Sequence, residues 1–96
     1  MLLTTCLGVF NLAAQEKLTV SGRVTDAQTG EPLMAVGILQ QGTSDGVISA
    51  VDGSYAITVP KGTVLVFASV GYEAVEVVAD RNVIDVALKE DINLLD

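Results

Sequence analysis

From Leu18 onward, apolar and polar residues alternate with a period of two. Leu18, Val20, Gly22 and Val24 are interleaved with Thr19, Ser21, Arg23 and Thr25. Side chains along a strand point to opposite faces in turn, so this pattern predicts a strand with one buried face. The run Asp26-Ala27-Gln28-Thr29-Gly30-Glu31-Pro32 ends it, because Gly30 can take positive φ and Pro32 lacks a ladder donor. Residues 33–41, marked by Val36, Ile38 and Leu39, predict a second strand, residues 42–46 a break, and residues 47–49 a short third strand. Asp52-Gly53 predicts a hairpin of type I′, whose two central positions both need φ > 0.

Tyr55, Ile57 and Val59 then alternate with Ser54, Ala56 and Thr58, and Pro60-Lys61-Gly62 closes that strand. Residues 63–69 are nearly all apolar, which predicts a strand central in its sheet or covered on both faces. Gly71-Tyr72 follows, then Val75, Val77 and Ala79 on one parity. Asp80-Arg81-Asn82 is a polar turn, and Ile84, Val86 and Leu88 alternate with Asp85 and Ala87 to give the last strand. About seven strands at a spacing of roughly 8–12 residues, without a helical period, predict an all-β, antiparallel, Ig-like sandwich. Its core is aliphatic, with Tyr55 and Phe67 as the largest members.

Residues 2–14, LLTTCLGVFNLAA, are apolar and uncharged. They are too few to span a hydrocarbon core, which takes about 20 residues. They suit the apolar region of a secretory signal, with cleavage after Ala14. Leu12 is large for the −3 position, and no Lys or Arg follows Met1, which implies a start further upstream or a fragment. The alternative is a buried N-terminal strand or helix. Cys6 is a poor lipoprotein acceptor, since Thr4-Thr5 precede it and the apolar run continues beyond it. The expected organisation is a signal peptide over residues 1–14 (truncated at its start), a sandwich over 17–90 and an exit linker over 91–96.

Charge and composition narrow the chemistry. In 96 residues, five Lys+Arg stand against twelve Asp+Glu, a net charge of −7. No basic patch can neutralise a phosphate backbone, which argues against nucleic-acid binding. With no His and one Cys, the chain excludes Cys/His zinc sites, Ser-His-Asp and Cys-His catalysis, and an internal disulfide.

Carboxylates are the catalytic groups that remain. Asp45 and Asp52 lie near two turns, and Glu90 and Asp91 are adjacent. A glycosidase needs two carboxylates facing across a cleft, whereas turn aspartates satisfy their own backbone. No Asp-x-Asp-x-Asp-Gly calcium loop is present, so Asp45 and Asp52 read as turn residues. Lys61 reads as a solvated turn residue, and Tyr72 as a buried tyrosine with its hydroxyl bonded at the rim, in preference to a surface aromatic contact. Glu73, Glu76, Asp80, Asp85, Glu90 and Asp91 make the last third acidic, a solubilising surface or a face for a basic partner. No catalytic, cofactor-binding or metal-binding residue is assigned, no cofactor is implied, and the chain reads as a non-enzyme.

Several pieces, in order, resemble one family. Val20-Ser21-Gly22-Arg23-Val24-Thr25-Asp26 is similar to the opening of the carboxypeptidase-regulatory-like domain, a transthyretin-like β-sandwich. Gly30-Glu31-Pro32-Leu33 and Gln41-Gly42-Thr43 match its first two turns, and Asp52-Gly53-Ser54-Tyr55-Ala56-Ile57 its Asp-Gly-x-aromatic element. Pro60-Lys61-Gly62-Thr63-Val64-Leu65-Val66-Phe67, Val70-Gly71-Tyr72 and Val86-Ala87-Leu88 with Glu90-Asp91 complete the series. The resemblance covers residues 17–96. One departure is Ala50-Val51, where many relatives carry Thr-Asp or Ser-Asp.

A leader ending near Ala14-Gln15, this domain, and the exit Leu88-Lys89-Glu90-Asp91 to Leu94-Leu95-Asp96 resemble the N-terminal extension of SusC-type TonB-dependent outer-membrane receptors. The resemblance implies an exported module at the periplasmic face of the outer membrane, associated with the membrane only through a downstream barrel. Its implied partners are that receptor's plug and barrel and a TonB-type energy-coupling protein. It implies partner contact, or spacing of the energy-coupling segment, in nutrient uptake. The alternative is a free-standing or peptidase-associated sandwich for adhesion, carbohydrate contact or stabilisation, although no Trp and only four Phe and Tyr supply a sugar-stacking platform.

Overall fold

The computed structural model describes residues 16–91. The expected signal peptide, and the exit linker beyond Asp91, lie outside them. The described residues form seven strands: β1 (Lys17–Asp26), β2 (Gly37–Gln40), β3 (Gly46–Ile48), β4 (Ser54–Pro60), β5 (Val64–Ala68), β6 (Val75–Val78) and β7 (Val86–Leu88). They build two sheets, ordered β4–β1–β7 and β3–β2–β5–β6. This is the all-β sandwich that the alternation predicts. The apolar strand β5 lies between β2 and β6, as its two-sided apolar character requires.

Alternation sets the core. Val20, Val24, Ile57 and Leu88 of one sheet face Ile38, Leu65 and Phe67 of the other, all buried. Tyr55 and Phe67 meet edge to face, with ring centroids 5.3 Å apart and planes at 82°. That geometry sets the positive edge of one ring against the negative face of the other.

Three local features differ from expectation. First, one pair is parallel. β1 runs antiparallel to β4, from Lys17↔Pro60 to Arg23↔Ser54, but parallel to β7, from Val24↔Val86 to Asp26↔Leu88. The cause lies upstream of β7. The Ser21 N–H donates to the Asn82 carbonyl at 2.8 Å, and the Ile84 N–H to the Ser21 carbonyl at 2.9 Å. The chain is thereby docked midway along β1 and continues in the same direction.

Second, the expected strand over residues 33–41 contracts to Gly37–Gln40. Ala35 has φ 61°, a left-handed conformation that breaks the ladder. Buried Ser49 substitutes for that ladder: its Oγ donates to the Leu33 carbonyl at 2.7 Å and accepts the Val36 N–H at 2.9 Å.

Third, Asp52-Gly53 is not a type I′ pair. Gly53 has φ 83°, but Asp52 is not in the positive region. The Gly53 N–H donates to the Ala50 carbonyl and the Ala50 N–H to the Ser54 carbonyl, both at 2.8 Å. This is a three-residue turn with glycine in its bulge position. It joins strands of different sheets, so it is a corner of the sandwich and not a hairpin.

Candidate functional site

Polar groups converge where β1 ends. Asp26 is buried, at 8% exposure. Its Oδ1 accepts the N–H groups of Gln28 and Thr29 at 2.8 and 3.1 Å, an Asx-type turn that follows from an Asp at the head of a loop. Its Oδ2 accepts the Tyr72 hydroxyl at 2.7 Å. Tyr72 is held in place by its own N–H on the Ser69 carbonyl and by a bridge to Glu90.

The Tyr72 hydroxyl, and then the two N–H groups, hold the Asp26 carboxyl below its usual range. The bond given to Asp26, and then burial, push the Tyr72 phenol up to about 12. Beside this pair is an open depression of about 400 Å³ lined by Ala27, Gln28, Lys89 and Glu90. Donors occupy both Asp26 oxygens, and its ionised form is favoured. It is a clasp between β1 and the residue 71–73 segment rather than a poised base.

The carboxylates singled out in the sequence do not come together. Asp45 sits in the β2–β3 turn, where its N–H donates to Thr43 Oγ1 at 3.1 Å and its carbonyl accepts the Gln40 N–H. Asp52 sits beyond the other end of β3, in the corner. Its Oδ1 accepts the Ser54 hydroxyl at 2.6 Å and the Ser54 N–H at 3.0 Å. Those bonds, hydroxyl first, hold its carboxyl below the usual range. Arg23 lies 3.8 Å from Asp52, and both are exposed, so this ion pair contributes little. Glu90 bridges to Tyr72, and the Asp91 N–H donates to the Gly71 carbonyl. Lys61 is exposed in its turn. Among the described residues, no three Asp, Glu or Cys gather as metal ligands would.

Sequence reasoning missed a second cluster, where the parallel pair is interrupted. An added Cβ on Gly22 would collide with the Ile84 carbonyl, so glycine permits the close approach. That carbonyl accepts the Tyr55 hydroxyl at 2.6 Å. Burial, and then the Asp85 charge, push the Tyr55 phenol up to about 12. Asp85 Oδ1 accepts the Arg23 N–H at 2.9 Å, standing in for a missing strand carbonyl. A glycine within the strand pattern was the available signal; nothing marked Asp85 or Ser49.

What remains is surface. Leu39, Ile48 and Val78 are exposed on the sheet β3–β2–β5–β6. β4 forms one edge of the other sheet. Among the described residues, no helix is long and apolar enough to cross a membrane.

Comparison with known proteins gives this surface a context. The CarboxypepD_reg-like domain family matches residues 20–96. The chain is 40% identical, over 98 aligned residues, to TonB-dependent receptor P39 of Formosa agariphila, covering 100% of this chain and 9% of that receptor. It is 36% identical, over 86 residues, to TonB-dependent receptor SusC of Bacteroides thetaiotaomicron, covering 88% of this chain and 8% of the receptor. The chain thus spans less than a tenth of these relatives. The matching family is named as regulatory-like, and both relatives are named as receptors. A crystal structure of a protein of unknown function from Bacteroides fragilis shares the fold, with a TM-score of 0.58 and 24% identity over 82% of this chain and 30% of that one.

Proposed function

Because the chain belongs to the CarboxypepD_reg-like domain family, we propose that it is a non-catalytic module of a TonB-dependent outer-membrane nutrient receptor. On this reading it stands at the periplasmic face, where it contacts a protein partner or spaces the energy-coupling segment from the barrel. One observation carries the reading: the whole chain aligns at 40% identity with a TonB-dependent receptor of which it makes up 9%. The chemistry agrees with it. The Asp26 carboxylate is committed to Tyr72 and two backbone N–H groups. Its use is in holding the sandwich together.

An adhesion or sugar-stacking role has less support. Tyr55 and Phe67 are buried, and Tyr72 is tied to Asp26. The test is an in-frame deletion of residues 17–90 from the encoding receptor gene, with receptor abundance and nutrient uptake measured together. The expected result is normal abundance in the outer membrane with reduced uptake. Unchanged uptake at normal abundance would overturn the proposal.

A further inference from the structure

The sandwich has four strand edges, and they are not equivalent. β3 and β7 are three residues long and β6 is four, whereas β4 is seven. Among the described residues, β4 has a partner only on its β1 side. Its ladder bonds follow the parity of Val24 N–H to Gly53 carbonyl and Lys61 N–H to Glu16 carbonyl. Tyr55, Ile57 and Val59 therefore bond inward to β1, and the N–H and C=O groups of Ala56 and Thr58 point outward.

β4 carries no charged residue and no bulge, two of the devices that normally block an edge. The half-buried Val47 on neighbouring β3 packs against the core and offers an apolar landing for alternate side chains of an added strand. The charges are also polarised. Lys17, Arg23 and Lys61 flank β4, balanced by Glu16, Asp52 and Asp85; the remaining described residues carry eight acids and two bases, so this edge is the least acidic part of the surface. An isologous, antiparallel pairing of two copies would set Lys17 and Lys61 of one beside Arg23 of the other.

We propose that the outer edge of β4 accepts an extended, neutral-to-acidic partner segment as a fourth strand of the β4–β1–β7 sheet, with main-chain bonds to Ala56 and Thr58. This rests on the partner-contact reading above and deepens it.

The test uses the 96-residue chain with a synthetic probe, an alternating Thr/Val heptapeptide ending in Asp at both termini, followed by backbone NMR. The expected result is shifts centred on β4, with amide exchange of Ala56 and Thr58 slowed about tenfold or more. The same peptide N-methylated at its edge-facing amides should lose binding, and a version with Lys ends should bind about tenfold more weakly. Ala56→Pro removes an outward N–H that the fold does not use, and should abolish binding with an unchanged melting curve. No shifts, equal binding of the N-methylated peptide, or shifts centred on Leu39 and Val78 would overturn the proposal. So would concentration-dependent pairing of the chain through Ala56 and Thr58. Failure here leaves the deletion result above untouched, so the two claims are separable.

Discussion

Individual residues hold strain and polar contacts that pattern alone does not reveal. Ala35 occupies a left-handed conformation at φ 61°. A side chain there costs about 1–2 kcal/mol, partly offset by the unfolded-state entropy that glycine adds. Ala35→Gly is therefore expected to raise stability by about 0.5–1 kcal/mol in urea unfolding. Gly22 is the opposite case, since a methyl group would strike the Ile84 carbonyl. Gly22→Ala is expected to lower stability by about 1–3 kcal/mol and to disturb the Tyr55 bond to that carbonyl.

The clasp of Asp26 and Tyr72 makes a statement about pH. Tyr72 and Tyr55 are both raised from 10 to about 12. A raised folded-state value adds stability that is fully present below pH 10 and is lost as pH climbs to about 12. Asp26 is lowered, so its contribution is present above the ordinary carboxylate range and is lost as pH falls through the depressed value. Tyrosinate absorbance of the folded chain should stay flat through pH 10. In Tyr72→Phe, the Asp26 titration followed by NMR should move upward, because the largest cause of its depression is gone.

Elements are where the sequence was most informative. The strands β1, β4, β6 and β7 followed from a two-residue alternation, because a sandwich strand must bury one face and solvate the other. The apolar run around Phe67 pointed correctly to a central strand. Alternation carries no direction, so it could not show that β7 runs parallel to β1. Nor could it show where a ladder fails and a side chain takes over. Asp85 does so for the Arg23 N–H. Asp85→Ala is expected to cost about 0.5–1.5 kcal/mol, and Asp85→Asn, which keeps an oxygen, less. Hydrogen exchange at Arg23 checks both. The corner at Asp52-Gly53 was legible as a turn but not as a change of sheet, since local geometry does not say where the next strand docks. The clasp was half legible: Tyr72 was expected to have a bonded hydroxyl, but its partner lies 46 positions away in sequence.

At the scale of the whole molecule, one aliphatic layer joins two thin sheets, and Phe67, fully buried, is its largest fully enclosed side chain. Phe67→Ala is expected to remove about 3–5 kcal/mol, a large share of the roughly 5–15 kcal/mol that holds a small domain folded. Chemical denaturation of the two proteins side by side measures it.

The parallel neighbours β1 and β7 have a mechanical consequence. β1 starts at Lys17 and β7 lies beside its far end, travelling the same way. The chain therefore enters and leaves at opposite ends, separated by a ten-residue strand of about 33 Å. Tension applied between those ends would slide the two strands lengthwise, loading their hydrogen bonds together in shear instead of peeling them apart one at a time. The sandwich is thus wired to transmit a pull along its long strand.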